Sequence, residues 1–217
     1  MHLFELAYAC RIYSATFDTA LDRFRRSVMP RLDPINADHR IHLLRWLNAW
    51  GCRQFAIRDH PQASMGILNW SNEHLRHLPD RDAKLEELPD STLDAVEVAY
   101  AALCECTASI RSKAARMYRV NVGPTGAAKI LFALWPAAFS PWDDAIREHF
   151  ELDGSPRSYR TFIQSVVSEQ LQTLKTDASR FGIEPDGIAE RVGRPNSTLP
   201  KLVDEYFLAC PPNAQQF

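Results

Sequence analysis

The 217 residues hold no long uninterrupted apolar run, no internal repeat and no low-complexity linker. A membrane-spanning helix needs about 20 consecutive apolar residues, so none is expected, nor is a solenoid or a disordered tether. The opening stretch, MHLFELAYACRIYSATFD, breaks a short apolar run with His2, Glu5 and Arg11. It therefore lacks a signal-peptide layout, and a cytoplasmic protein is expected. Cysteine is sparse and odd in number, at 10, 52, 104, 106 and 210, which suits reduced thiols better than a disulfide framework. Cys104 and Cys106 form a C-x-C inside an apolar run, but no second Cys or His pair stands at ligand spacing. They read as small core residues, and no metal or other cofactor is expected. Net charge is also lacking: a formal −2 excludes a protein that coats nucleic acid indiscriminately, yet permits a local basic face.

What is present is an ordinary globular composition, 46% hydrophobic and 24% charged, enough to bury a core as a single unit over 1–217. Apolar residues recur by threes and fours and are punctuated by prolines, the pattern of an all-α protein. Ile41, Leu43, Leu44, Trp46, Leu47 and Trp50 follow the cap types Asn36 and Asp38 and precede Gly51. Further helices are expected from Pro61 to before Pro79, from Leu93 to about Cys106 behind Asp90 or Ser91, from Pro124 to Trp135, and from Pro141 to Phe150. Asp153-Gly154-Ser155-Pro156 breaks the chain before a long helix to Phe181, and Ile183–Arg191 and Leu199–Ala209 complete the set. The Pro211-Pro212-Asn213 tail is expected to be loose. No alternating β-branched run is long enough to suggest a strand. Charge is uneven: Asp80, Asp82, Glu86, Glu87, Asp90, Asp94 and Glu97 crowd one segment, while Arg111, Lys113, Arg116, Arg119 and Lys129 follow with no acid among them. The basic run is either a solvated face or a phosphate-binding surface.

Within 111–150 lies the stretch NVGPTGAAKILFALWPAAFSPWDDAIREHF, in which a tight turn feeds an apolar helix and a loop then presents two carboxylates at another helix start. A helix N-terminus behind a Gly turn offers unpaired N–H groups and a positive dipole end, a fit for phosphate. Asn121 and Gly123 both tolerate a left-handed backbone.

This segment resembles the helix-hairpin-helix superfamily of DNA glycosylases, whose hairpin reads G-V-G-x-K-T-A and is followed, after an apolar helix, by P-V-D-x-H-V. Asn121-Val122-Gly123-Pro124-Thr125-Gly126-Ala127 and Pro141-Trp142-Asp143-Asp144-Ala145-Ile146 stand at the matching spacing. The resemblance covers about thirty residues and implies two helical lobes with a cleft between them. It also implies a monomer acting on double-stranded DNA, with Asn121, Val122 and Gly123 on the backbone-gripping hairpin and Asp143 as the catalytic carboxylate. Thr125 stands where bifunctional members keep a Schiff-base lysine, so a monofunctional enzyme that leaves an abasic site is implied. Lys129, one helical turn beyond Thr125, is either a displaced nucleophile or a phosphate or salt-bridge partner. Thr125, Lys129, Arg116 and Arg119 join the hairpin as DNA contacts.

Cleaving an N-glycosidic bond passes through an oxocarbenium-like sugar, which a nearby carboxylate stabilises. Asp144 would point about 100° away from Asp143 on a helix, a cap or solvent charge; both could also be first-turn acids that complement the helix dipole. The base must leave the stack, and Trp46, Asn48, Trp50, Arg53 and Trp142 are the candidate pocket, each Trp being equally readable as core. The base itself is open: a repair lesion, or a glucosylated hydroxymethylcytosine of the kind that bacterial anti-phage relatives remove. Two other functions fit the chain: a non-catalytic helical DNA-binding protein, and a HEPN-like RNase using Arg53 and His60. Whether Asp143 lines a cleft deep enough for a base or lies capped on an open surface separates the glycosylase from the non-catalytic DNA-binding protein.

Overall fold

The computed structural model describes residues 1–13, 15–113 and 116–209. The chain runs α1 (Leu3–Ile12), α2 (Ala15–Ser27), α3 (Ala37–Ala49), α4 (His60–His74), α5 (Asp90–Glu105), β1 (Thr107–Lys113), β2 (Arg116–Asn121), α6 (Gly123–Leu134), α7 (Asp144–His149), α8 (Pro156–Thr161), α9 (Ser168–Ser179), α10 (Ile188–Arg191) and α11 (Leu199–Ala209). It is thus mostly helical. The Pro211-Pro212-Asn213 tail and Cys210 lie outside the described residues.

Caps and turn residues set the boundaries. Asn36 Oδ1 accepts from the backbone N–H groups of Asp38 at 2.9 Å and His39 at 3.3 Å, which starts α3, and Gly51 at φ +82° lets the chain leave it. Ser155 caps α8, whose first residue is Pro156. The long helix expected from Arg157 onward is one helical run from Pro156 to Ser179, interrupted by a wider π turn over Phe162–Val167, and Gly182 at φ +68° follows it. Neither Asp90 nor Ser91 is the cap of α5: Pro89 takes that position, and Asp90 is the first helical residue.

One expectation is corrected outright. Residues 107–121 are not free of strand: β1 and β2 pair antiparallel, with Lys113 opposite Arg116, Ser112 opposite Met117, Arg111 opposite Tyr118 and Ile110 opposite Arg119. The ribbon escapes a periodicity test because it is anchored only at its root, where Ala108 and Ser109 are buried, while Ser112, Lys113 and Arg116 to Arg119 are exposed. A strand with no buried face has no reason to alternate.

One apolar core runs from α1 to α11. Trp142 lies at its centre, fully buried, edge-on to Tyr159 with ring centroids 5.2 Å apart, while Tyr159 stacks on Tyr100 at 4.4 Å. Trp46 stacks on Phe24 at 4.9 Å and meets Trp50 at 4.5 Å. Both Trp46 and Trp142 are therefore core residues and not walls of an open pocket. Truncating a buried Trp removes its transfer energy and leaves a cavity, so Trp142→Ala should lower stability by about 3–5 kcal/mol, read as a reduced urea midpoint at unchanged slope.

Candidate functional site

The segment from Asn121 to Thr125 is fixed before any ligand arrives. The Val122 N–H donates to the Cys106 carbonyl at 2.8 Å, and the Val122 carbonyl accepts from Gln54 Nε2 at 2.8 Å. Gln54 is held in turn, its own carbonyl accepting from Ser109 Oγ at 2.7 Å. Gly123 then takes φ +65°, a left-handed conformation that a side chain would strain. Gly126, one turn on, packs so closely that a Cβ would stand 2.8 Å from Val122 Cγ1. The chain enters this turn from β2 and leaves it as α6, so locally the arrangement is strand, turn, helix, and Asn121 is not in the left-handed region.

α6 starts without a side-chain cap, and its N-terminal end opens on a cleft of about 580 Å3. Trp50, Gly51, Cys52 and Gln54 form one wall, Asn121–Thr125 and Lys129 a second, and Asp143–Ala145 with Arg147 a third. The volume lies in the range of pockets that hold a nucleoside-sized ligand, roughly 300–1,000 Å3.

Asp143 sits at the N-terminus of α7. Its Oδ1 accepts from the Ile146 N–H at 3.0 Å, so Asp143 itself caps the helix, the role expected of Asp144. Oδ2 makes no hydrogen bond among the described residues. Asp144 is exposed and pairs with Arg147, whose Nη1 donates to Thr125 Oγ1 at 3.1 Å and whose guanidinium lies 5.3 Å from the Trp142 ring. Arg147 thus ties the start of α7 to the start of α6. Lys129 reaches the cleft with its Nζ donating to the Trp50 carbonyl at 2.7 Å.

Of the residues singled out from sequence, the cleft gathers Asn121, Val122, Gly123, Thr125, Lys129, Asp143 and Trp50. It does not gather Trp46, Asn48, Arg53, Trp142, Arg116 or Arg119. Asn48 is half-buried with Nδ2 3.2 Å from His60 Nε2. Arg53 is exposed, whereas His60 is buried, and burial lowers its imidazole from the ordinary value, so the pair gives no support to a shared RNase site. Arg119 donates to Asn121 Oδ1 and to the Glu105 carbonyl, both at 2.8 Å, and so braces the turn from outside. Cys106 Sγ donates to the Ala102 carbonyl at 3.4 Å, and among the described residues no group of three His, Cys, Asp or Glu could hold a metal ion.

A charge cluster missed by sequence reasoning underlies the cleft. Lys201 is fully buried, with Nζ 2.9 Å from Asp204 Oδ2, 3.3 Å from Glu205 Oε1 and 3.1 Å from the Tyr13 hydroxyl. Arg194 Nε donates to Glu205 Oε2 at 3.0 Å and its guanidinium pairs with Asp18. The Trp50 ring has Lys129 Nζ 5.6 Å from its centroid and Lys201 Nζ 5.2 Å away. Burial alone would lower the Lys201 ammonium, but Asp204 and Glu205 outweigh it and hold the group above its ordinary value. Burial also pushes the Tyr13 hydroxyl up to about 12, so it stays protonated at neutral pH. The only sequence cue was a set of charges three and four apart within the otherwise apolar LPKLVDEYFLA.

Compared with protein-family models, with curated proteins and with solved structures, the chain gives no match.

Removing the central cation would strand the buried Asp204 carboxylate and leave Glu205 with Arg194 alone. Lys201→Met should therefore destabilise the fold by about 3–5 kcal/mol, measured by chemical denaturation, whereas exposed Lys113→Met should change stability by no more than about 0.5 kcal/mol.

Proposed function

We propose that this chain is a monofunctional DNA glycosylase similar in plan to the helix-hairpin-helix enzymes, with a strand in place of the hairpin's first helix and two helical lobes flanking the cleft, which holds an extruded nucleotide against Asp143 and hydrolyses its N-glycosidic bond. The observation that carries this reading is the placement of Asp143 across one cleft from the uncapped start of α6. Phosphate next to the extruded sugar meets the N–H groups of Gly123 and Thr125, with Lys129 as the nearby cation. The sugar then lies toward Asp143, whose Oδ1 is engaged by the helix and whose Oδ2 faces the reacting carbon.

In the reaction the bond between C1′ and the base nitrogen breaks, and its electron pair leaves with the base. The Asp143 carboxylate opposes the positive charge that builds on the sugar, and water adds to C1′ with loss of a proton to the carboxylate or to solvent. A lyase step would need an unengaged amine at C1′. Thr125 supplies none, and Lys129 Nζ is donating to the Trp50 carbonyl, so the product is an intact abasic site. The base is a repair lesion or a hypermodified cytosine such as glucosylated hydroxymethylcytosine.

The rival with a specific observation in its favour is a non-catalytic DNA grip, because Asp143 also serves as a helix cap. Wild type and Asp143→Asn, incubated with a panel of damaged oligonucleotides and with plain and glucosylated hydroxymethylcytosine DNA, separate the two. Alkali cleavage should reveal abasic sites, and mass spectrometry a released base, with wild type only. Asp143→Asn should slow single-turnover release at least about a hundredfold while still binding DNA. Silence of the wild type across the panel, with DNA bound, would replace the glycosylase by the grip.

A further inference from the structure

The ribbon of β1 and β2 is unlike the rest of the surface. Its root is bolted down: Arg58 Nη2 donates to the Ile110 carbonyl at 3.1 Å, the Ile110 N–H donates to Asp59 Oδ2 at 3.1 Å, and Arg111 Nη2 donates to the Arg53 carbonyl at 2.8 Å. Beyond the root it stands clear of the core. Residues 53–59 and 105–121 together carry six cations, Arg53, Arg58, Arg111, Lys113, Arg116 and Arg119, against two carboxylates. Both carboxylates are already engaged, Asp59 by Arg58 and Glu105 by Arg119. Lys113 and Arg116, opposite each other across the ribbon, make no ion pair among the described residues.

Large apolar side chains are left in water on the same surface: Ile57 is 78% exposed, Met117 67% and Tyr118 44%. Cations interleaved with exposed apolar and aromatic groups suit a polyanion that also presents stacking edges and methyl groups, and a two-stranded ribbon has the width that a B-DNA major groove, about 12 Å across, admits.

We propose that the β1–β2 ribbon is a duplex-DNA arm that lies in the major groove on one side of the nucleotide held in the cleft. The clause about the held nucleotide rests on the glycosylase reading; the duplex contact does not. Position follows from chain geometry. β2 runs directly into Asn121, a cleft residue, and Met117 lies four residues before it. At about 3.3 Å per residue that is roughly 13 Å, or about four base pairs at 3.4 Å each. Arg116 and Tyr118, on one face of β2, therefore meet base edges about three to six pairs from the extruded nucleotide, with Arg116 placed to bond guanine, while Met117 projects from the other face.

Dimethyl sulfate tests this, because it methylates guanine N7 in the major groove and adenine N3 in the minor groove. The probe is a mixed-sequence duplex with one central tetrahydrofuran abasic analogue. Wild type should protect guanine N7 on one side of the analogue only, about three to six pairs away. The exposed-site double variant Arg116→Ala, Tyr118→Ser should lose that protection and bind about five- to a hundredfold more weakly, its circular dichroism unchanged. Protection confined to adenine N3, symmetric protection, a wild-type pattern in the variant, or tighter binding of single strands would each overturn the arm. Abasic-site formation without guanine N7 protection overturns the arm alone; one-sided protection without base release on any substrate overturns only the glycosylase. Failure to bind the duplex at all overturns both.

Discussion

An ammonium group shut away from water must be surrounded by negative charge, and much of this fold is arranged around that requirement at Lys201. The residue is fully buried on α11, and its partners come from its own next turn, Asp204 and Glu205, and from Tyr13 at the end of α1. Glu205 passes the constraint on to Arg194, and Arg194 to Asp18 on α2. Such a cluster adds little net stability against well-packed apolar residues, but it tolerates few arrangements, since each misplacement leaves a charge uncompensated. Its reach extends to the cleft: Lys201 lies beside Trp50, and the charges of Lys129 and Asp143 both act on the Asp204 carboxyl. The cleft wall formed by Trp50 is thereby seated on a charged layer that fixes the C-terminal helix against the first two.

Local chemistry made most helices legible. Asn36 with Gly51, Ser155 with Pro156, and the Pro124 and Pro136 pair mark boundaries through interactions a few residues long, so the sequence carries them in plain order. The turn at Gly123 and the carboxylate at Asp143 were legible for the same reason, and the cleft brings them together. The ribbon was not, because its strands pair with each other and bury neither face beyond the root. Nor was the division of the tryptophans: Trp46, Trp50 and Trp142 are all buried, and only the packing of distant helices decides that Trp50 also borders the cleft. The cluster on Lys201 was hidden by distance, its partners standing up to 188 positions apart in the chain.

Asp143 shows how a fold requirement can leave one oxygen of a carboxylate open to a cleft. A carboxylate that caps a helix is held by the backbone at one oxygen, so it needs no side-chain partner to fix its direction. Arg147, bridging Asp144 and Thr125, ties the capped helix to the turn that faces it. Capping therefore fixes one oxygen and leaves the other unengaged, a geometry that a plain helix cap and the proposed catalytic carboxylate share.

The formal charge of −2 conceals a separation that matters for an anionic partner. The acidic stretch from Asp80 to Glu97 is spent internally in part: Asp94 and Glu97 pair with Arg160, Glu86 with Lys175, and Asp82 with Arg31. Further carboxylates are consumed under the cleft, where Asp18, Asp204 and Glu205 neutralise Arg194 and Lys201. None of those acids pairs with Lys113 or Arg116 among the described residues. A near-neutral chain can thus present a locally positive ribbon beside a cleft that holds a carboxylate. In the proposed glycosylase that arrangement would attract a polyanion along the ribbon while leaving negative charge at the one point where a cation-like sugar would form.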